Sequence, residues 1–174
     1  MKSPVANLRP PSPWVSTQPI LERIVLPPLA LVIFNRPTHT AQLIDALRPI
    51  KPPRLFVIAD GPRPHHPDDT ARCTATRAVI DTIDWECELV KNYAVPNLGC
   101  GQRIPSGLAW LFEQVDEAII LEDDCVPDPT FFPYCRTMLD TFRDNEQVMM
   151  ISGYNALETW RAATQSYHFA YFGL

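Results

Sequence analysis

The chain has 174 residues, and 15 Lys and Arg against 20 Asp and Glu give it a formal charge of −5. This size suits one domain with a self-supporting core, which excludes a small scaffold stapled by disulfides or metal. The acidic balance, with no Lys/Arg block, excludes duplex nucleic acid as a partner.

Nineteen prolines are twice the usual share of about 5%, and seven of them (Pro4, Pro10, Pro11, Pro13, Pro19, Pro27 and Pro28) fall in the first 28 residues. Proline removes backbone donors and blocks helix, so residues 1–28 read as an extended, proline-rich leader, with Leu21 to Leu26 able to dock as an edge strand or a helical turn. This segment lacks the charged start and apolar run of a secretory signal. No stretch of the chain approaches the ~20 apolar residues of a membrane span. The expectation is a cytoplasmic protein without a transmembrane segment. Five cysteines, none spaced as C-x-x-C, read as reduced, buried thiols.

From Leu29 short apolar runs alternate with amphipathic segments, the pattern of βαβ units around a parallel sheet. The predicted strands are Leu29 to Phe34, Leu55 to Ala59, Cys87 to Tyr93, Ala118 to Leu121 and Val148 to Ile151. The second and fourth are apolar throughout, which predicts positions in mid-sheet with both faces covered. The predicted helices are Thr38 to Arg48, Thr70 to Ile83, Pro105 to Val115 and Phe131 to Phe142. In the third, Pro105 suits a first-turn position, and Ile104, Leu108, Leu111, Phe112 and Val115 share one face. Trp85, Trp110, Phe131 and Phe132 are expected in the core.

Ligands of open α/β sheets bind outside the carboxyl ends of the strands. The residues there form a consistent set: Asn35-Arg36-Pro37, Asp60-Gly61-Pro62-Arg63, Asn97 to Arg103, Glu122-Asp123-Asp124 and Ser152-Gly153. Three adjacent acids directly after a buried strand suit a hard divalent cation, Mn²⁺ or Mg²⁺, that shares oxygen ligands with substrate phosphates. The same triplet also suits a solvated acidic turn or a helix N-cap. Asp60-Gly61 reads either as a turn or as a carboxylate facing a nucleobase or ribose. Arg36, Arg63 and Arg103 occupy three different loops and together make a candidate diphosphate clamp. Gly99-Cys100-Gly101 precedes a helix and lets backbone N–H groups approach an anion, although two glycines there are also ordinary loop punctuation. His65-His66 with Asp68-Asp69 is poorly suited to ligation because adjacent histidines point apart; His39 reads as a helix-start residue and His168 as surface or core. No catalytic triad is readable. The loop after the first strand, Asn35 to His39, has no glycine, which excludes a P-loop and a dinucleotide fingerprint.

Four segments carry a resemblance: Leu31 to Pro37, Ile58 to Arg63, Asn97 to Gly101, and Ile120 to Cys125 with its continuation to Tyr134. Together they resemble the nucleotide-sugar glycosyltransferases of the GT-A fold, particularly the family-2-like bacterial proteins. The stretch around Glu122-Asp123-Asp124 is also similar to the N-acetylglucosaminyltransferase I group. The resemblance covers about Leu29 to Asn155 and implies a Rossmann-like domain whose mostly parallel central sheet is flanked by helices. It implies that Glu122-Asp123-Asp124 is a D-x-D-type motif, with Asp124 on the metal, assisted by Glu122, and Asp123 on ribose or sugar. Asn35, Arg36, Asp60, Gly61, Arg63, Gly99 and Arg103 then line the nucleotide-sugar site.

The family's acceptor site and catalytic base lie in a further segment beyond the strand equivalent to Val148 to Ile151, and no residue here is identifiable as that base. The expectation is therefore that residues 29–174 form the donor-binding part of a glycosyltransferase, acting on a nucleoside-diphosphate sugar and a glycan, lipid or protein acceptor. Two other readings stand beside it: a non-catalytic nucleotide-sugar-binding module or truncated pseudoenzyme, and a metal-dependent phosphohydrolase. The absence of an Asp nucleophile after the first strand counts against the last.

Overall fold

The computed structural model of the chain describes residues 25–154. The leader through residue 24 and the segment from residue 155, His168 included, lie outside the described residues. Of the leader, residues 25–28 have no regular structure; Leu26 packs against the core, and the Pro28 carbonyl accepts the Ile119 N–H at 2.9 Å.

Strands and helices alternate: β1 (Leu29–Ile33), α1 (Pro37–Leu47), β2 (Arg54–Ala59), α2 (Asp69–Ile80), β3 (Glu88–Tyr93), α3 (Cys100–Phe112), β4 (Ile119–Glu122) and α4 (Phe131–Phe142). The four strands form one all-parallel sheet in the order β3-β2-β1-β4. This is an α/β domain with helices on both faces, the layout of a Rossmann-like sheet.

The period-2 alternation of side chains divides the core. Leu29, Leu31, Ile33, Leu55, Val57, Ala59, Ile119 and Leu121 face Leu43, Ile44 and Leu47 of α1, Ile80 of α2 and Phe132 of α4. Ala30 and Phe56, on the opposite face, meet Leu111 of α3, with Trp110 edge-on to Phe56 at 5.6 Å between ring centroids. Leu55 to Ala59 are wholly buried, each large side chain stabilising the fold by about 1.5–3 kcal/mol relative to exposure. Gly107 lets α3 approach the sheet, since a Cβ there would overlap Ile58 Cγ2. Trp85 packs on the core and donates its Nε1–H to the Pro52 carbonyl at 3.1 Å.

Several expectations are corrected. Among the described residues β2 is central, but β4 lies at the sheet edge, where Ile120 and Glu122 on the α3 side are exposed while Ile119 and Leu121 are buried. Val148 to Ile151 is not a strand: it makes no ladder, and Met149 is 98% exposed. The third helix begins at Cys100 rather than at Pro105. Pro105 therefore lies inside it, and its missing N–H leaves the Gly101 carbonyl without the usual i→i−4 bond. The buried face of α3 is Arg103, Gly107 and Leu111, while Phe112 is exposed. All five cysteines are free, but only Cys73 and Cys135 are buried; Cys100 and Cys125 are exposed. Among the described residues no helix is long and apolar enough to cross a membrane.

Candidate functional site

From β1 the chain steps outward to β2 and β3, then returns to place β4 on the other side of β1. The loops after β1 and β4 thus flank the point where strand order reverses, the usual ligand crevice of an open α/β sheet. Two loop segments from distant parts of the sequence meet there.

The first is built by Arg36 and Pro37. Proline biases the residue before it away from helical backbone, and Arg36 adopts φ −118° and ψ 74° as the N-cap of α1. Its carbonyl accepts the Thr40 N–H at 3.0 Å and the Thr40 hydroxyl at 3.1 Å. The side chain is left free to reach across the sheet end. The second segment continues β4: Asp123 donates its N–H to the Val32 carbonyl at 3.1 Å, and the Cys125 N–H closes a turn onto the Glu122 carbonyl at 2.9 Å. Asp123 keeps the inward parity of Ile119 and Leu121 and is only 1% exposed.

Arg36 spans the two acids as a fork. Nη2 lies 2.6 Å from Asp123 Oδ1, and Nη1 donates to Asp124 Oδ2 at 2.9 Å. The Arg36 and Asp124 side chains are 39% and 45% exposed. Burial pushes the Asp123 carboxyl up, and although Arg36 pulls it back the net displacement is upward. Partial burial also acts upward on Asp124, but the Arg36 hydrogen bond and charge prevail and hold it below the usual carboxylate range. Burial pulls the Arg36 guanidinium down, and the two acids more than reverse this. Neither carboxylate oxygen of Asp123 has a hydrogen bond of ordinary geometry; the charge of Arg36 is its main compensation, with a weaker contribution from the Phe34 backbone N–H.

Glu122 leaves this group. It pairs in register with Val32, on the α3 face of the sheet, and is exposed. The acid pair at the crevice is Asp123 with Asp124, rather than Glu122 with Asp124. Among the described residues no group of three or more His, Cys, Asp or Glu side chains surrounds a common metal position. Two carboxylates, one of them buried with unfilled acceptor sites, still match a hard cation that completes its shell with water and phosphate oxygens.

The other expected site residues are already engaged within the protein. Asp60, 6% exposed, accepts four hydrogen bonds: Gly61 N–H (2.8 Å) and Leu98 N–H (2.9 Å) on Oδ1, Asn97 Nδ2 (2.9 Å) and Gly99 N–H (2.9 Å) on Oδ2. A carboxylate has about four acceptor positions, so Asp60 organises the 97–99 loop and has none left for a nucleobase. Gly61 serves the same contact, because a Cβ there would come within 2.6 Å of the Pro96 carbonyl oxygen. Gly99 supplies the positive φ of 73° that opens α3, and its N–H is spent on Asp60.

The three-arginine clamp also dissolves. Arg103 is buried, donating from Nε to the Ala59 carbonyl at 3.1 Å and from Nη2 to both the Asn92 carbonyl and Asn92 Oδ1. Burial lowers its pKa, only partly opposed by Asp60. Arg63 is bidentate on Asp69, with Nε at 2.6 Å and Nη2 at 3.0 Å, and lies over the Phe34 ring. Only Arg36 remains at the crevice. Asn35 likewise donates its Nδ2–H to Asp69 at 2.7 Å, while its carbonyl accepts from Arg72 Nε at 3.0 Å.

Asp69 is the hub that sequence reasoning missed. Buried at the start of α2, it ties the loops after β1 and β2 together. The Arg63 hydrogen bond, against burial and helped by Asn35, holds its carboxyl far below the usual range. Its first-turn position was the available signal, since an acid there is favoured by unpaired helix N–H groups. His65, His66 and Asp68 are exposed, and His66 joins this network through its backbone, its N–H on the Arg63 carbonyl at 3.2 Å and its carbonyl accepting the Asp69 N–H at 3.1 Å.

Comparison with protein-family models, with curated proteins and with solved structures finds no match for this chain.

Proposed function

We propose that this domain binds a nucleoside-diphosphate sugar at the β1/β4 crevice with Mn²⁺ or Mg²⁺, and that it acts as a glycosyltransferase of the GT-A type toward a glycan, lipid or protein acceptor. One observation carries the reading: at the strand-order reversal, two carboxylates from the end of β4 converge on one arginine from the end of β1. That combination suits a diphosphate and its counter-cation.

Asp123 and Asp124 would hold the metal, which when bound supplies positive charge to the diphosphate as it departs. Arg36 offers a planar fork of donors to the diphosphate oxygens. Asp60 and Asp69 act one step back: each consumes its carboxylate in fixing the loops that frame the crevice. The resemblance to GT-A enzymes agrees with Asp124 on the metal, while Asp123 takes the metal-binding place that the resemblance gave to Glu122.

The test is turnover of a panel of nucleoside-diphosphate sugars by the purified chain with Mn²⁺, followed by release of nucleoside diphosphate. Release that depends on the sugar and is lost in Asp124→Ala supports the proposal. Binding without release points to a non-catalytic module, and phosphate release indifferent to the sugar points to a phosphohydrolase.

A further inference from the structure

We propose that Arg36 is an internal counter-cation that holds the place of the metal and exchanges it for the diphosphate, making metal and diphosphate binding interdependent. This rests on the reading of the crevice given above and concerns what happens there before ligand arrives.

Three features support the exchange. The first is space. Nη1 and Nη2 of Arg36 stand 2.9 Å and 2.6 Å from the very oxygens that Asp124 and Asp123 would offer to a cation, whereas Mg²⁺ sits about 2.1 Å from its ligands. The guanidinium and a metal shared by both acids therefore compete for one position.

The second is the demand of Asp123 for a partner. A buried carboxylate whose oxygens lack well-formed hydrogen bonds, as those of Asp123 do despite the nearby Phe34 N–H, is costly unless a positive charge stands beside it. Among the described residues Arg36 is the cation recorded against Asp123. Removing Arg36 without replacing its charge leaves Asp123 exposed to that cost, and a divalent cation is the replacement of matching sign.

The third is freedom of movement. The Arg36 backbone is fixed by Pro37 and by the Thr40 bonds to its carbonyl, but its side chain is 39% exposed and, among the described residues, its polar partners are the two acids. It can swing from the acids without disturbing the start of α1. Once displaced, it needs an anionic partner with paired oxygens, which a diphosphate provides. Metal alone must expel Arg36 into water, whereas metal with diphosphate gives it a new partner. The first event is therefore weak and the second strong.

The experiment is binding of Mn²⁺ alone, read from the electron paramagnetic resonance signal of free Mn²⁺, to the wild-type chain, Arg36→Met and Arg36→Lys, with Asp124→Asn as control. Arg36→Met removes the competing charge and should bind Mn²⁺ about tenfold more tightly than wild type, a coupling of ordinary size. Arg36→Lys, which keeps a charge but loses the fork, should fall between the two; it decides the question if circular dichroism shows that Arg36→Met does not fold. Inorganic pyrophosphate should then raise Mn²⁺ affinity more in wild type than in either variant. Equal or weaker Mn²⁺ binding by the folded variants, with wild type binding and Asp124→Asn not, would overturn the exchange while leaving the metal site intact. Absence of Mn²⁺ binding in every protein, with pyrophosphate present as well as without it, would overturn both.

Discussion

Replacing Asp60 separates a loop-organising carboxylate from one that waits for a nucleotide. Asp60→Ala deletes four bonds of 2.8–2.9 Å, each charge-assisted and worth about 1.5–3 kcal/mol in place. The net loss is smaller than their gross value, because Leu98 and Asn97 are only part-buried and gain water when the loop relaxes; the Gly61 N–H stays buried and unpaired. We expect about 3 kcal/mol of destabilisation, roughly 10 °C in Tm for a domain of this size.

Asp60→Asn is nearly isosteric but should do no better. Its oxygen can serve Gly61 and Leu98, but its NH₂ group would then confront the donors of Gly99 and Asn97. Rotating the Asn97 amide to accept instead sets its oxygen against the Gly61 carbonyl, to which Asn97 Nδ2 now donates at 2.8 Å. Thermal and urea unfolding of both variants, followed by circular dichroism, measures the cost. A Tm within about 2 °C of wild type for Asp60→Ala, or full retention by Asp60→Asn, would refute the assignment.

Gly61→Ala should cost about 1–3 kcal/mol in urea unfolding, since the atoms its Cβ meets belong to the backbone of Val95 and Pro96, which cannot yield as a side-chain tip would. Arg103→Met deprives Asn92 Oδ1 of its Arg103 donor and leaves the Ala59 carbonyl with the Ala94 N–H alone, and should lower stability by about 2 kcal/mol, with no change in the melting shift produced by Mn²⁺ and nucleoside diphosphate. The Asp69 carboxyl lies below its unfolded value of 3.8 when folded, so its contribution is fully present above that pH and is lost as pH falls below it. Asp69→Asn should be less stable than wild type at neutral pH and lose less on acidification below about pH 4, as followed by unfolding at stepped pH.

The parallel sheet was legible because β1, β2 and β4 lie on compact apolar runs ending in polar residues, whereas β3, with Glu88, Lys91 and Asn92, carried a weaker signal; α4 falls on the expected Phe131 to Phe142. The edge position of β4 among the described residues was not, since Ala118 to Leu121 looks as apolar as Leu55 to Ala59, and exposure of Ile120 depends on which strands pair. The acids illustrate the same limit. Strand parity alone separates Glu122 from Asp123, so that distinction was available in the sequence. Whether Asp60 faces a ligand or the chain itself depended on a loop 37 residues away, and the fate of Arg103 on Asn92 and Ala59. A polar residue at a strand end is thus a weak indicator of binding until its partners are known. Arg36 and Asp124 are partly exposed and pair with each other, and Arg36 pairs with the buried Asp123 as well.

The central claim is that the crevice between β1 and β4 is a divalent-cation and nucleoside-diphosphate site. The most direct measurement is the melting temperature of wild type and Asp124→Ala with Mn²⁺ and each common nucleoside diphosphate at about 100-fold over Kd. The expected result is stabilisation of wild type by about 2.7 kcal/mol with at least one nucleotide, absent in Asp124→Ala. No shift with any nucleotide, or an equal shift in Asp124→Ala, would contradict the account.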